Sequence, residues 1–376
     1  MTITDAEPVG TAADDGWRIY SCDDHLDLRT LPPDLWTSRV PAAVRDEMPH
    51  VVHDDTGAHW FVRDKSLGPS GSAAEQGGSA IDRAGIDDDG FRASIPELRL
   101  TDMELDGVYA SVIYGPNLWG LPIEDPELKT TAWRVWNDWS AEFNAHAPGR
   151  LAALAVIPTP SPEVAVGELE RIKSIGHRGA MLYAFEIEPG DRTWDPLWAA
   201  AADTGLPISF HIGGGVHSIV PRFGSWEVAA YSSVVPMQLD EPLAQMIFSG
   251  ALERHPGFKL VLAESGAGWI PYLVERMDGA HRKYKGKLGG HELTMAPSDI
   301  FRRQVWATFE EEPAASAIIP LLGTECFMWA SDYPHLDSTF PHSRRAIDEA
   351  LGSFSADDRR RITADNCREL YGFDRP

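Results

Sequence analysis

Four apolar runs in this chain each end in side chains that can bind a metal ion or carry a proton. The runs are 17–22 before Asp23, Asp24 and His25; 206–210 before His211; 258–263 before Glu264; and 327–331 before Asp332. Parallel strands of a barrel carry functional side chains at their C-terminal ends, where these side chains meet. The pattern therefore predicts a metal-dependent enzyme.

The predicted metal ligands are Asp23, His25, His211 and Asp332. Asp23 and His25 are two positions apart on one strand, so their side chains point the same way. Two imidazoles with two or three carboxylates suit Zn²⁺, Mn²⁺ or Fe²⁺. We expect one divalent ion, with Zn²⁺ first, although the number of carboxylates also favours Mn²⁺. An open coordination position would let such an ion activate water.

Asp332 and Glu264 are the predicted catalytic residues. A carboxylate at Asp332 can both ligate a metal and accept a proton from metal-bound water. Glu264 precedes a Ser-Gly-Ala-Gly turn, and we expect it to assist proton transfer. A purely structural role is the alternative for Asp332, because Asp is common in turns such as the one before Tyr333 and Pro334.

Five further side chains are predicted to contact a substrate. They are Trp119, Tyr183, Trp269, His335 and Arg92. The aromatic members would line an apolar pocket at the strand ends, although aromatic rings in such places also plug barrels.

Eight short apolar runs alternate with longer helical stretches, which predicts a (β/α)8 TIM barrel. The predicted strands are 17–22, 108–114, 151–157, 179–185, 206–211, 258–264, 305–309 and 327–332. A doubly wound open sheet is the alternative, since a strand count does not prove closure. Residues 1–16 are expected to form a flexible tail, and 17–376 a single barrel domain.

The segment 29–96 interrupts this alternation and is predicted to be an insertion after the first strand. It contains Pro32 and Pro33, a Gly/Ser-rich run at 68–79, and three consecutive Asp residues. Long segments of this kind often form lids over active sites. We expect a partly mobile lid over the barrel mouth, although a flexible loop without function fits 68–79 equally well.

Composition narrows the class of protein. The chain has 376 residues, 43% of them hydrophobic, and a formal charge of −24. That charge argues against nucleic acid or an anionic membrane as partner, since both require a basic face. Three Cys residues form no CxxC pair, and the N-terminus lacks the basic start of a signal peptide. We expect a cytoplasmic protein that acts on a small molecule.

Other chemistries lack their motifs in this sequence. No Gly-x-Ser-x-Gly elbow is present, which argues against a serine hydrolase of the α/β type. No Walker loop and no dinucleotide-binding Gly-x-Gly-x-x-Gly follows a strand.

Several of these segments resemble the amidohydrolase-related family, in the branch similar to aminocarboxymuconate semialdehyde decarboxylase. The segments are 21–25, 210–211, 264–273, 331–335 and 366–373. The resemblance implies a (β/α)8 barrel with one divalent metal, and it makes a homodimer an expectation. It also implies that the family's His-x-His falls on Asp23 and His25, its strand-five His on His211, and its strand-eight Asp on Asp332.

Two positions depart from the pattern of that family. Asp23 stands where many members have His, and Glu264 stands where many decarboxylases have a catalytic His. A Glu donates protons poorly at neutral pH unless its pKa is raised. This departure leads us to expect hydrolysis of a small cyclic amide, lactone or related carbonyl compound by metal-activated water.

Two alternatives to hydrolysis stay open. One is metal-dependent, non-oxidative decarboxylation of a small aromatic or unsaturated acid, with Arg92 or Arg99 holding the carboxylate. The other is an inactive barrel that serves as a binding protein.

Overall fold

A computed structural model describes residues 16–71, 79–118, 120–215, 218–222, 224–287 and 291–374. Apart from Gly16, the predicted N-terminal tail lies outside the described residues, as does Trp119. Within the described part of the chain, no helix is both long enough and apolar enough to cross a bilayer.

Nine parallel strands and three antiparallel strands make up the sheets of the described chain. The strands are β1 Ile19–His25, β2 His50–Asp54, β3 Gly57–Val62, β4 Lys65–Pro69, β5 Val108–Tyr114, β6 Leu151–Ala153, β7 Ala155–Val156, β8 Ala180–Leu182, β9 Ile208–His211, β10 Leu260–Ala263, β11 Val305–Phe309 and β12 Phe327–Trp329. The parallel strands form one sheet in the order β1-β5-β6 and a second in the order β12-β11-β10-β9-β8-β7. The predicted parallel α/β architecture is confirmed.

The two parallel sheets meet at both of their ends. Between β6 and β7 lies a single residue, Leu154, whose N–H donates to the Ile113 carbonyl at 2.8 Å. Just beyond the end of β12, Asp332 N–H donates to Asp23 O of β1 at 2.9 Å, and Tyr333 O accepts from His25 N–H of β1 at 2.7 Å. Among the described residues, β12 and β1 are not paired as strands of one sheet. The strands therefore follow the order expected of a barrel, but their hydrogen bonding is not continuous around it.

Helices follow most of the parallel strands, as the sequence predicts. They are α1 Ala80–Arg83, α2 Pro96–Asp106, α3 Pro126–Asn144, α4 Pro162–Ser174, α5 Asp195–Thr204, α6 Trp226–Val234, α7 Asp240–Phe248, α8 Ala251–Arg254, α9 Ile270–Tyr284, α10 Pro297–Gln304, α11 Ala315–Ile318, α12 Ser343–Leu351, α13 Ala356–Arg360 and α14 Asn366–Leu370. Helix α4 begins at Pro162. The first N–H groups of a helix have no partner within it, so a proline, which has no N–H, fits this position. The Ser161 hydroxyl caps the helix by accepting a hydrogen bond from Val164 N–H.

The segment 29–96 has structure of its own. It contains the antiparallel sheet β2-β3-β4 and the short helix α1. Trp60 of β3 and Trp36 are both fully buried within the insertion and pack edge-on, and the Trp36 ring N–H donates to Ala132 O of α3 at 2.9 Å. The insertion is therefore anchored to the main core, and its function as a lid stays a prediction.

Helices α3 and α4 are joined by a buried carboxylate. The Glu168 side chain is fully buried, and it accepts hydrogen bonds from Asn137 at 2.7 Å, Arg171 at 2.7 Å and Arg134 at 2.9 Å. Asn137 also bonds both backbone groups of Val156 in β7. Burial by itself raises the pKa of Glu168, but the bonds from Arg171, Asn137 and Arg134 outweigh it and lower the pKa.

We expect Glu168→Gln to lower the free energy of unfolding by about 2 kcal/mol at pH 7, because hydrogen bonds to a charged group are lost. A depressed carboxyl pKa contributes stability above its ordinary value, and that contribution disappears as pH falls through the folded-state pKa. Urea unfolding should thus show a difference from wild type that shrinks at acidic pH. The control is Glu170→Gln on the exposed side of α4; an equal loss in both variants would contradict the prediction.

Candidate active site

Four strand ends bring together the predicted ligands and Glu264. From β1, His25 Nε2 lies 2.7 Å from Asp332 Oδ1, 3.6 Å from Asp23 Oδ1 and 3.8 Å from Glu264 Oε2. From β9, His211 Nε2 lies 3.3 Å from Glu264 Oε2 and 3.7 Å from Asp23 Oδ1. The sequence-predicted cluster thus exists as one group of side chains at the C-terminal ends of the parallel strands.

The backbone is strained at two members of this cluster. Glu264 has a φ of 53° and Asp332 a φ of 63°, in the left-handed region that favours glycine. A non-glycine residue there costs about 1–2 kcal/mol. Such outliers are found where side-chain position matters for function. Glycine would remove the backbone strain at these two positions, but it has no side chain. With Glu264 and Asp332 the fold retains the strain, and each position places a carboxylate in the cluster.

Buried polar atoms without a hydrogen-bond partner converge on one point. Among the described residues, Asp23 Oδ1, His25 Nε2 and Asp332 Oδ1 are buried and form no hydrogen bond of acceptable geometry, although His25 Nε2 and Asp332 Oδ1 lie 2.7 Å apart as a close contact. Donor atoms of Asp23, His25 and His211 all lie within 4.8 Å of one another. Leaving buried polar atoms unsatisfied is costly. The imidazole and carboxylate donors, and their spacing, fit a divalent cation.

Two hydrogen bonds orient the Asp23 carboxylate, and both go to the same oxygen atom. Its Oδ2 accepts from Glu264 N–H at 2.7 Å and from the Thr308 hydroxyl at 2.8 Å. Thr308 lies on β11 and is fully buried. The second oxygen, Oδ1, therefore faces His25 and His211 in a fixed orientation.

His335 is a further member of the cluster. Its ring stacks on that of His25 with centroids 3.9 Å apart. Its Nδ1 lies 3.0 Å from the Asp332 carboxylate, and its Nε2 lies 2.9 Å from Asp27 Oδ2. Asp27 also accepts from Asn117 Nδ2 at 2.8 Å. Asp27 and Asn117 were not predicted from the sequence, although Asp27 follows β1 by only two residues.

The pKa values of the cluster show how strongly its carboxylates attract positive charge. Burial alone would lower the pKa of His211, but Asp23 and Glu264 raise it to about 9. Burial also opposes protonation of His335, yet Asp332 and Asp27 raise its pKa well above the ordinary value. A divalent cation would meet the same demand for positive charge.

Glu264 differs from the other carboxylates of the cluster. Burial, together with the charge of Asp332, raises the pKa of Glu264 to about 8. Its side chain is 23% exposed and lines a cavity. A carboxyl group with such a pKa can hold a proton at neutral pH, so the sequence-based objection to Glu264 as a proton donor loses its force.

Arg99 lies beneath the cluster and does not face the cavity. Its guanidinium is fully buried, donates to His25 O at 2.9 Å and lies 3.4 Å from Asp24 Oδ2. Burial raises the pKa of Asp24 to about 6 even with Arg99 beside it. The alternative in which Arg99 holds a substrate carboxylate does not fit this position, because Arg99 supports the end of β1.

A cavity of about 690 Å³ opens above the cluster. Its wall is formed by the residues after β1, β5, β9, β10, β11 and β12, together with Leu67 and Pro69 of the insertion. His335, which was predicted to contact substrate, lines this cavity. The predicted catalytic residue Glu264 lines it as well. Arg29 and Glu310 also line it and were not predicted, although each follows a strand by no more than a few residues.

Three predicted substrate contacts lie elsewhere. Arg92 forms an ion pair with Asp102 at 2.8 Å, which occupies its guanidinium. The Tyr183 hydroxyl accepts from Leu118 N–H at 3.2 Å, and the Trp269 ring donates to Ser265 O at 2.6 Å. None of the three is among the described residues that line the cavity.

The family model described as amidohydrolase matches residues 54–373. The chain belongs to the amidohydrolase family. The predicted resemblance is confirmed, and the chain is an enzyme of the amidohydrolase superfamily, so an inactive binding barrel has no support.

Several relatives of known sequence or structure are similar to the chain. The gamma-resorcylate decarboxylase of Rhodococcus jostii (strain RHA1) is 25% identical over 64% of this chain and 76% of its own length. An amidohydrolase from Mycobacterium avium subsp. paratuberculosis K-10 superposes with a TM-score of 0.75 at 20% identity, covering 95% of this chain and 98% of the other.

Two decarboxylases of known structure share the fold. The 5-carboxyvanillate decarboxylase from Sphingomonas paucimobilis superposes with a TM-score of 0.69 at 23% identity, covering 94% and 99% of the two chains. The dihydroxybenzoic acid decarboxylase from Polaromonas sp. JS666, solved with manganese and 2-nitroresorcinol, gives 0.61 at 18% identity, covering 96% and 98%.

The expectation of hydrolysis by metal-activated water is wrong. The curated relatives are decarboxylases of aromatic acids, and decarboxylases recur among the structures with this fold. The error arose from Glu264, which was judged from the ordinary pKa of a glutamate.

We expect Thr308→Val to weaken divalent-metal binding about 10- to 100-fold, because Asp23 loses the hydroxyl that orients it. Equilibrium dialysis against Mn²⁺ would measure the loss. Thr308→Ser keeps the hydroxyl and should bind nearly as wild type. If Thr308→Ser is as weak as Thr308→Val, the hydrogen bond to Asp23 is not responsible.

Proposed function

We propose that this protein is a metal-dependent, non-oxidative decarboxylase of small aromatic acids. The observation that carries the proposal is the convergence of Asp23, His25, His211 and Asp332, with unsatisfied buried donor atoms, on the floor of a cavity. The names of the curated relatives support the reaction and the substrate class.

Asp23, His25, His211 and Asp332 would hold one divalent cation. Manganese in solved decarboxylases of this fold favours Mn²⁺ over the Zn²⁺ that the sequence suggested first. When bound, the cation supplies Lewis acidity towards the substrate's oxygen atoms and orients the substrate. Asp332 is then a ligand whose orientation is maintained by His335, at 3.0 Å.

Arg29 is the residue best suited to hold the substrate carboxylate. It is the one arginine among the described residues that line the cavity, and the lining contains no lysine. Within the described part of the chain, no salt bridge engages its guanidinium. Arginine pairs with carboxylates in a bidentate geometry, which fixes orientation as well as charge. Arg29 thus takes the function that the sequence had assigned to Arg92 or Arg99.

Glu264 is the proposed proton donor. Decarboxylation breaks the bond between the ring and the carboxyl carbon, the electron pair remains on the ring carbon, and CO₂ leaves. That ring carbon must then receive a proton. Glu264 lines the cavity beside the cluster, and its raised pKa supports a protonated form at neutral pH.

The architecture around this site is part of the proposal. We infer that the eight strand positions close into one barrel within a single domain, supported by the backbone bonds between the ends of β12 and β1. The insertion 29–96 would cover part of the mouth, since Leu67 and Pro69 of β4 line the cavity.

The Mn²⁺-loaded protein should release CO₂ from 2,6-dihydroxybenzoate, and removal of the metal by a chelator should abolish release. Asp332→Asn should lower kcat/KM more than about 100-fold. Losses of up to about 100-fold are typical for residues that only orient a metal ligand, and Asp332 is proposed to be a ligand itself. Headspace CO₂ and loss of substrate absorbance measure both. Asp357→Asn, at a site 86% exposed on α13, is the control. Metal-independent turnover, or an active Asp332→Asn variant, would refute the proposal.

Glu264→Gln tests the proton donor separately. Gln keeps the shape of Glu but cannot donate a carboxyl proton, so we expect kcat to fall about 10²- to 10⁴-fold. The content of bound Mn²⁺ and KM should change little. If kcat is preserved, or if the variant loses its metal, Glu264 has a function other than the one proposed.

A further inference from the structure

The loop after β12 connects the metal cluster to the insertion. We call residues 333–340 the strand-eight loop, and the His335 side chain of this loop lines the cavity. The loop closes on itself, since His335 N–H donates to Asp332 O at 2.9 Å and Thr339 N–H donates to Ser331 O at 3.0 Å. The contacts that hold this loop in place therefore also decide where His335 lies.

Helix α1 of the insertion binds the backbone of the strand-eight loop. Ala80 N–H donates to Pro334 O at 3.1 Å. The Arg83 guanidinium donates to three further carbonyl groups, those of Leu336, Ser338 and Phe340. The four carbonyl groups belong to alternate residues, and neither Ala80 nor Arg83 lines the cavity. Arginine suits this task because its planar guanidinium presents several N–H donors in a fixed arrangement.

Apolar packing joins the same two segments. A hydrophobic cluster separate from the main core contains residues of both: Ala80, Ile81, Ala93, Tyr333 and Phe340. The rings of Tyr333 and Phe340 meet edge to face with centroids 5.0 Å apart. Helix α1 has only four residues, and a capping box of Ser79 and Asp82 stabilises its N-terminus. The contact between α1 and the loop thus combines hydrogen bonds with buried side chains.

His335 connects the strand-eight loop to the metal cluster. Its ring stacks on that of His25 with centroids 3.9 Å apart, and its Nδ1 lies 3.0 Å from the Asp332 carboxylate. Asp332 has a φ of 63°, and backbone strain of this kind persists only where surrounding contacts determine the conformation. A displaced loop would separate His335 from Asp332, so the contacts made by α1 act on the cluster through this side chain.

We propose that Arg83 is a positioning residue for the metal site. Helix α1 holds the strand-eight loop so that His335 keeps Asp332 in the orientation that a divalent cation requires. Arg83 does not line the cavity and acts only through the loop. The inference rests on the proposed metal ligands and not on the proposed reaction, and it gives part of the insertion a function besides covering the mouth.

Arg83→Met should weaken Mn²⁺ binding about tenfold, the lower end of the loss seen when a group that orients a metal ligand is removed. Met removes the N–H donors and keeps most of the length of the side chain. Arg83 is exposed at the surface, so the free energy of unfolding in urea should stay close to that of wild type. Equilibrium dialysis gives the Mn²⁺ dissociation constant. Arg45→Ala, at another exposed arginine of the insertion, is the control and should bind as wild type.

A double-mutant cycle decides whether Arg83 acts through His335. His335→Ala should weaken Mn²⁺ binding at least as much as Arg83→Met, because it removes the partner of Asp332 directly. In the His335→Ala background, Arg83→Met should then cause little further loss, whereas independent effects would multiply. Amide hydrogen exchange of residues 333–340 should also be faster in Arg83→Met than in wild type. Arg83→Ala removes the same donors and replaces Arg83→Met in the cycle if that variant does not fold.

Three results would overturn the inference: unchanged Mn²⁺ affinity in Arg83→Met, an equal loss in Arg45→Ala, or losses that multiply in the double variant. Failure of the proposed reaction would be seen separately, as tight Mn²⁺ binding without CO₂ release from any acid. Wild-type protein that bound no Mn²⁺ would refute the metal site and this inference with it.

Discussion

Carboxylates and imidazoles crowded around one buried point are the constraint on which the rest of this structure depends. Asp23 and Glu264 stand within a few ångströms of both His25 and His211, and Asp332 lies 2.7 Å from His25. Burying such charges without compensation costs several kcal/mol each. Positive charge must therefore be supplied at this point, whether by protonated imidazoles or by a divalent cation, and the surrounding residues are arranged for that purpose.

The support for the cluster comes from residues that never reach the cavity. Thr308 on β11 orients Asp23, and Arg99 holds the backbone of His25 from below. The strained backbone at Glu264 and Asp332 persists because strand pairing and hydrogen bonds on both sides determine its path. Strands hold side chains more rigidly than loops do, which explains why the ligands come from strand ends while the cavity wall comes from the segments that follow them.

One residue accounts for the wrong expectation of hydrolysis. The family resemblance led us to expect histidine at position 264, where this sequence has glutamate, and an ordinary glutamate is ionised at neutral pH. In the structure, burial and the charge of Asp332 raise its pKa to about 8. A pKa depends on neighbours that are distant along the chain, so residue type alone could not reveal that this carboxyl group can hold a proton.

The sequence by itself determined the parallel strand–helix architecture and the cluster of carboxylate and imidazole side chains, because apolar runs that end in Asp or His carry both signals locally. Tertiary structure alone decided which arginine faces the cavity. Arg92 is taken by Asp102 and Arg99 by the backbone of β1, which leaves Arg29. It also revealed Glu310 as a neighbour of Glu264, through the register of β10 and β11. Pairings of this kind join residues far apart in sequence, and only folding brings them within reach of one another.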